Sequence, residues 1–231
     1  MIVCLHGMAD SPRTWDLVRG LLERHHEVLA PALPGHLGGR PLNGDFDLAS
    51  DIEAAMDEAG VETAHIVGNS LGGYLALVLA TRGRARSVVA LAPAGGADHT
   101  QALAMQERGL LLSEITVRPL PPEIVAYLTA SARHCDAEPL IEHARRHGWP
   151  LDPAKVRCPV RVLWGLEDKL LPWPHAAERY RHSLDAEWIE LEGVGHAPQL
   201  DVPLETAQLI LGFTTARIAS SKGPSSSPFS R

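Results

Sequence analysis

The sequence has few of the features that mark secreted or membrane proteins. Its three cysteines, Cys4, Cys135 and Cys158, are odd in number and form no CxxC pair, so no disulfide framework is indicated. There is no run of about 18 apolar residues that could span a bilayer. The apolar stretch from Met1 to Leu5 is too short for a signal peptide and has no basic segment before it. Together these absences predict a soluble cytoplasmic protein.

Positive charge is also scarce. The chain carries 21 Lys and Arg against 28 Asp and Glu, a formal net charge of -7, and has no basic block. This argues against a nucleic-acid partner and against binding to an anionic membrane. The histidines and carboxylates show no HExxH or comparable spacing, so neither a metal nor a cofactor is expected. A small-molecule substrate is the predicted partner, and the oligomeric state stays open.

Strand-like and helix-like runs alternate along both ends of the chain. This alternation predicts an α/β fold with a mostly parallel sheet and helices on both faces. Predicted strands cover residues 2–5, 27–30, 65–67, 88–91, 160–164 and 188–191. Predicted helices begin after Ser11 and Asp47 as N-caps, and others cover residues 71–81, 175–181 and 204–218.

The alternation breaks between residues 94 and 155, where helical patches at 101–112 and 122–132 are interrupted by prolines. We interpret this segment as a helical cap inserted into one core domain. The predicted organisation is therefore a first half of the core at 1–93, a cap at 94–155 and a second half at 156–219. The last residues, 220–231, are rich in Ser and Pro, which predicts a disordered tail.

The stretch Gly68-Asn69-Ser70-Leu71-Gly72 fits the pattern G-x-S-x-G between a predicted strand and a predicted helix. In this setting Ser70 projects from a sharp turn, and the two glycines remove side chains that would collide with neighbouring elements. A dinucleotide fingerprint would need glycine where Ser70 stands, and a phosphate-binding loop would need a lysine that is absent. A structural turn with an incidental serine is the remaining alternative.

A serine nucleophile needs a base and a group that orients the base. His196 lies in a loop of small residues after the last predicted strand, whereas six histidines in charged helical stretches are predicted to be solvated: His25, His26, His143, His147, His175 and His182. Asp168 follows a predicted strand at the end where catalytic groups gather in parallel sheets. Glu167 and Asp98 are its competitors.

Acyl transfer also needs hydrogen-bond donors for the oxyanion. The backbone N–H groups of Leu71, next to the nucleophile, and of Met8, after the first strand, are the candidates. His6 and His36 each lie at the end of a strand and are interpreted as structural hydrogen-bonding residues.

These residues resemble the α/β-hydrolase superfamily, and more closely its group of esterases, C–C bond hydrolases and perhydrolases. His6-Gly7, Pro34-Gly35-His36, the Ser70 turn, Gly165 to Asp168 with Pro172, and Gly195-His196 all stand where that group places them. The resemblance implies Ser70, His196 and Asp168 as a catalytic triad. It also implies two more strands before the strand that ends at His6, for which Met1 leaves no room. We therefore expect the strand at 27–30 to lie at an edge of the sheet, in either a shortened domain or a chain whose start is assigned too late.

Two classes of function follow. The first is a serine hydrolase that cleaves a small or medium ester or a related carbonyl substrate, with perhydrolase, lyase and C–C bond hydrolase activity as alternatives. The second is a non-hydrolytic ligand receptor on the same fold. Apolar residues of the cap either line a pocket over Ser70 or pack the cap onto the sheet: Leu110, Leu111, Leu112, Ile115, Ile124, Val125, Tyr127 and Leu128.

Overall fold

The computed structural model describes residues 1–95 and 112–221, without the side chains of residues 112 and 216–221. Six strands form the sheet of this part of the chain. They are β1 (Ile2–Leu5), β2 (Val28–Leu29), β3 (Ala64–Asn69), β4 (Ala85–Leu91), β5 (Val160–Gly165) and β6 (Ala186–Leu191). Each neighbouring pair is parallel, and the spatial order is β2-β1-β3-β4-β5-β6.

β2 pairs only with β1 and lies at one edge of this sheet, as the sequence predicts. The order in which strands are added reverses between β1 and β3. β2 lies on one side of β1, whereas β3 to β6 follow one another on its other side. Ligands of open parallel sheets bind at the carboxyl ends of the strands near such a reversal. The candidate site is therefore expected above β1 and β3.

Helices cover both faces of the sheet and also form the described part of the predicted cap. The α-helices are α1 (Asp16–Leu22), α2 (Leu48–Glu58), α3 (Leu71–Thr81), α4 (Leu112–Ile115), α5 (Pro122–Arg133), α6 (Ala137–His147), α7 (Glu178–Arg181), α8 (Pro198–Asp201) and α9 (Pro203–Ser221). Short 3₁₀ helices lie at Pro12–Trp15, Pro153–Lys155 and His175–Ala177.

Alternate side chains of each strand pack on opposite faces of the sheet, as the pleat requires. Val3 and Leu5 of β1 join the core that packs against α2 and α3. Ile2 and Cys4 join a second core that packs against α1 and α9. All four are fully buried. The strands read as continuous apolar runs for this reason, and the predicted α/β fold with helices on both faces is confirmed.

The predicted N-cap positions, Asp47 and Ser11, are both confirmed, but only Asp47 makes a side-chain capping hydrogen bond. The Asp47 side chain accepts a hydrogen bond of 3.1 Å from the Ala49 N–H and caps α2. Ser11 precedes the 3₁₀ helix at Pro12–Trp15, but its hydroxyl makes no capping bond and accepts instead from the Ser131 hydroxyl of α5 at 3.1 Å. Tertiary contact with the cap thus replaces the local hydrogen bond that the sequence predicts.

The described part of the predicted cap, residues 112–155, contains helices and no strand. The last helix continues to Ser221, beyond the predicted end at 218 and into the first residues of the predicted tail. The predicted helix at 101–112, apart from its last residue, lies outside the described residues, as do Asp98 and residues 222–231 of the tail.

Candidate active site

Ser70 occupies the turn between β3 and α3 with φ of 55° and ψ of -116°. Positive φ is uncommon for a residue other than glycine and marks stored backbone strain of the kind that collects at functional sites. A Cβ added to Gly68 would lie 2.1 Å from the Gly72 carbonyl oxygen, and one added to Gly72 would lie 2.2 Å from the Leu5 carbonyl oxygen. Only glycine fits at either position, so these glycines provide the steric clearance that the turn requires.

His196 and Asp168 meet beside this turn. His196 Nδ1–H donates to Asp168 Oδ2 at 2.7 Å, and both side chains are almost completely buried. The other carboxylate oxygen, Asp168 Oδ1, accepts from the N–H groups of Leu170 and Leu171 at 2.9 and 2.8 Å. These contacts fix the imidazole tautomer that leaves Nε2 with a free lone pair. Glu167, the predicted competitor, is exposed.

The Ser70 hydroxyl and the His196 ring are not hydrogen-bonded to each other in this structure. The two loops are nevertheless joined nearby, since Asn69 Nδ2 donates to the His196 carbonyl oxygen at 2.9 Å. Hydrogen bonds between a nucleophile and its base are often long before a substrate binds. The structure thus places the loops that carry Ser70, Asp168 and His196 next to one another.

The candidate oxyanion donors lie on two loops that touch at Ser70. A Cβ added to Gly7 would lie 3.2 Å from Ser70 Cβ, which places the loop before Met8 against Ser70. Leu71 is the first residue of α3, where N–H groups have no partner within the helix. Among the described loops, neither the Met8 nor the Leu71 N–H donates a backbone hydrogen bond. Both donors therefore remain available to a ligand at Ser70.

His6 holds the loop after β1. Its Nδ1–H donates to the Gly7 carbonyl oxygen at 2.8 Å, and its Nε2 accepts from the Leu33 N–H at 3.0 Å. Burial lowers the pKa of His6 to about 3. His36 packs edge-on against His6 and donates to the Pro34 carbonyl oxygen at 3.0 Å. Both histidines thus make the structural hydrogen bonds predicted for them.

The buried, neutral side chain of His6 predicts that the folded protein loses stability in acid. A histidine whose folded pKa lies below its unfolded value of about 6.5 costs stability as pH falls through that unfolded value. Between pH 7 and pH 5 His6 should lower the free energy of unfolding by about 1–2 kcal/mol. His65 adds to the loss, because burial lowers its pKa to about 4. Urea denaturation at the two pH values measures the difference.

The control for this prediction is the exposed histidine His25. A His25→Gln variant should keep the full loss of stability, whereas a His6→Asn variant should be less stable but lose less on acidification. Equal losses in the wild type and the His6→Asn variant would contradict the assignment.

The predicted cap segment packs onto the loops that carry Asp168 and His196. Four of its predicted pocket residues are buried in one cluster with the loop residues Leu170, Ala197 and Leu200: Ile115, Ile124, Tyr127 and Leu128. These four thus pack the segment onto the loops that carry Asp168 and His196. Leu110, Leu111 and the side chain of Leu112 lie outside the described residues.

Two buried polar side chains were not predicted from the sequence. His26 is buried rather than solvated, and its Nε2 pairs with the Thr214 hydroxyl at 3.1 Å on α9. Gln199 is fully buried and bonds to Asn69, although the sequence predicts no role for Gln199. The available signal was a polar side chain within the short run that follows His196.

The alpha/beta hydrolase family model matches residues 2–209. The epoxide hydrolase EphH of Mycobacterium tuberculosis is 30% identical over 199 residues, which cover 72% of this chain and 92% of that protein. A pimeloyl-[acyl-carrier protein] methyl ester esterase of Aromatoleum aromaticum is 29% identical over 90% of this chain and 96% of its own length. The crystal structure of a putative lipase from Acinetobacter baumannii superposes with a TM-score of 0.81 at 23% identity, covering 95% of this chain and 84% of the lipase.

The chain belongs to the alpha/beta hydrolase family, and the prediction of a hydrolase is confirmed at that level. None of the helices in residues 1–95 and 112–221 has both the length and the apolarity needed to cross a bilayer. Over the same residues, no group of three or more His, Cys, Asp or Glu side chains is arranged to hold a metal ion.

Proposed function

We propose that this protein is a serine hydrolase that cleaves a small or medium carboxylic ester through an acyl-enzyme. Ser70 Oγ attacks the ester carbonyl carbon while His196 Nε2 takes the hydroxyl proton. His196 then returns that proton to the leaving alcohol, and water repeats the sequence to release the acid. Asp168 holds the tautomer of the imidazole and stabilises the imidazolium.

The observation that carries this proposal is the pairing of His196 with Asp168 beside a strained serine turn. The 2.7 Å bond to Asp168 occupies Nδ1 and leaves Nε2 as the nitrogen that can accept a proton. At positions 68 and 72 of the turn, the neighbouring backbone leaves no room for any side chain, so only glycine fits there. A receptor that performs no chemistry has no need of either arrangement, so an enzyme is the better supported of the two classes.

The oxyanion would be held by the N–H groups of Met8 and Leu71. The start of α3 adds the positive end of a helix dipole to the same place. Two N–H donors plus this dipole favour a substrate whose reaction develops negative charge on an oxygen. Acyl transfer is such a reaction.

The chemistry of Ser70 favours esters over the epoxides implied by one relative. If Ser70 opened an epoxide ring, the product would be an ether between the serine and the substrate. Water cannot displace such an ether under the conditions that hydrolyse an ester, so the enzyme would be consumed. The similarity to a methyl ester esterase over 90% of the chain agrees with the acyl route.

A direct comparison of substrates tests the proposal. The purified protein should hydrolyse p-nitrophenyl acetate and p-nitrophenyl butyrate with multiple turnovers, and it should give no sustained turnover of styrene oxide. Adding a 2-hydroxydienoate-type substrate distinguishes C–C bond hydrolysis. Sustained epoxide turnover with no ester hydrolysis would overturn the assignment.

A further inference from the structure

The base and the nucleophile come from strands that are not neighbours. Ser70 follows β3 and His196 follows β6, and two strands lie between them in the sheet. With strands about 4.8 Å apart, the two strand ends are roughly 14 Å from each other. The loop after β6 must therefore reach back across the sheet and be held there for His196 to serve Ser70.

Two buried side-chain amides span this gap. Asn69 Nδ2 donates to the carbonyl oxygens of His196 at 2.9 Å and of Leu91 at 3.2 Å. Asn69 Oδ1 accepts from Gln199 Nε2 at 3.1 Å, and the same nitrogen donates to Thr14 Oγ1 at 3.1 Å. We refer to Thr14, Gln199 and Asn69 as the amide bridge.

We infer that the amide bridge positions the His196 loop over Ser70, with Gln199 as the key positioning residue. This inference rests on the proposed function. Gln199 joins three segments at one point: the short helix α8 that follows His196, the residue that precedes the nucleophile, and the 3₁₀ helix that follows the Met8 loop. The loops that carry the base, the nucleophile and the oxyanion donors are thereby held in fixed positions relative to one another.

The hydrogen-bond inventory explains why amides are used. Both protons on Asn69 Nδ2 and both on Gln199 Nε2 have acceptors, so each nitrogen offers two donors, whereas the buried Gln199 Oε1 has no partner in the described part of the chain. The side chains of Asn69 and Gln199 are 3% and 0% exposed, so water cannot replace a lost bond. A carboxylate at either position would face acceptors with no proton to give, and a buried unsatisfied group is costly.

The test replaces Gln199 with methionine, which has a similar length and no donor. The Gln199→Met variant should lower kcat for p-nitrophenyl butyrate by about 10–100-fold with KM nearly unchanged, because misplacing a base slows chemistry more than binding. Replacing Ile210 of α9, a fully buried core residue, with valine is the control for a general loss of stability. The Ile210→Val variant should keep the wild-type kcat.

A second variant separates positioning from simple packing. A buried glutamic acid can donate one hydrogen bond when protonated and none when ionised. The kcat of a Gln199→Glu variant, divided by the wild-type kcat at each pH, should therefore rise as pH falls. The same ratio for the Gln199→Met variant should be flat.

Amide hydrogen exchange gives a readout that does not depend on activity. Residues 194–197 should exchange faster in the Gln199→Met variant than in the Ile210→Val variant. If the wild type hydrolyses no ester, the proposed function fails, and this comparison still tests the bridge. Wild-type kcat together with unchanged exchange of residues 194–197 in the Gln199→Met variant would overturn the inference.

Discussion

Replacing Ser70 with alanine is expected to lower kcat/KM for p-nitrophenyl butyrate by about 10⁴-fold, close to the background rate. The change removes only the Oγ atom that forms the acyl-enzyme. Ser70 lies at the start of α3 and its side chain makes no capping hydrogen bond there, so the fold should tolerate the loss. Steady-state hydrolysis and urea denaturation of the same preparation measure both effects.

Asp168 and its neighbour Glu167 allow the role proposed for Asp168 to be tested against a matched control. An Asp168→Asn variant should lose about 10³–10⁴-fold in kcat, because the His196 tautomer is no longer fixed. A Glu167→Gln variant removes the same charge one residue earlier on an exposed side chain and should retain activity. A Ser70→Ala variant with undiminished turnover, or equal losses at Asp168 and Glu167, would contradict the triad.

Replacing Gly72 with alanine is expected to destabilise the protein by about 3 kcal/mol or more. The added Cβ would lie 2.2 Å from the Leu5 carbonyl oxygen and 2.7 Å from that of His6. Both contacts are with backbone, so no side-chain rotation can relieve them. The start of α3 would have to move away from β1, and Ser70 would move with it. Denaturation midpoints measure the loss, and activity should fall in the protein that remains folded.

Gly20 is the control for this substitution. It lies within α1, is exposed, and an added Cβ would meet nothing within 4 Å. A Gly20→Ala variant should be more stable than the wild type by about 0.5–1 kcal/mol, since alanine has the higher helix propensity. Wild-type stability in the Gly72→Ala variant would show that the turn does not need its glycine.

The parts of the site that were predictable from sequence are those set by local spacing. The glycines around Ser70 and the strand ends before Asp168 and His196 follow from residues close in the chain. The order of the strands made the meeting of Asp168 and His196 predictable as well, because parallel strands end at one edge of the sheet.

The parts that were not predictable depend on contacts between distant segments. Gln199 bonds to Thr14, 185 residues away, and His26 bonds to Thr214, 188 residues away. The Ser11 hydroxyl accepts from Ser131 of α5 rather than capping its own helix. In each case a polar side chain finds a buried partner that no short window of sequence contains, and local propensity is overridden.

The role of Ser70 as nucleophile is tested most directly by covalent labelling with a fluorophosphonate, followed by intact-mass measurement and peptide mapping. One phosphonyl group per chain is expected, located on Ser70, with loss of esterase activity in proportion to labelling. The Ser70→Ala variant should acquire none. Labelling at another residue, or equal labelling of the wild type and the Ser70→Ala variant, would contradict the proposed mechanism.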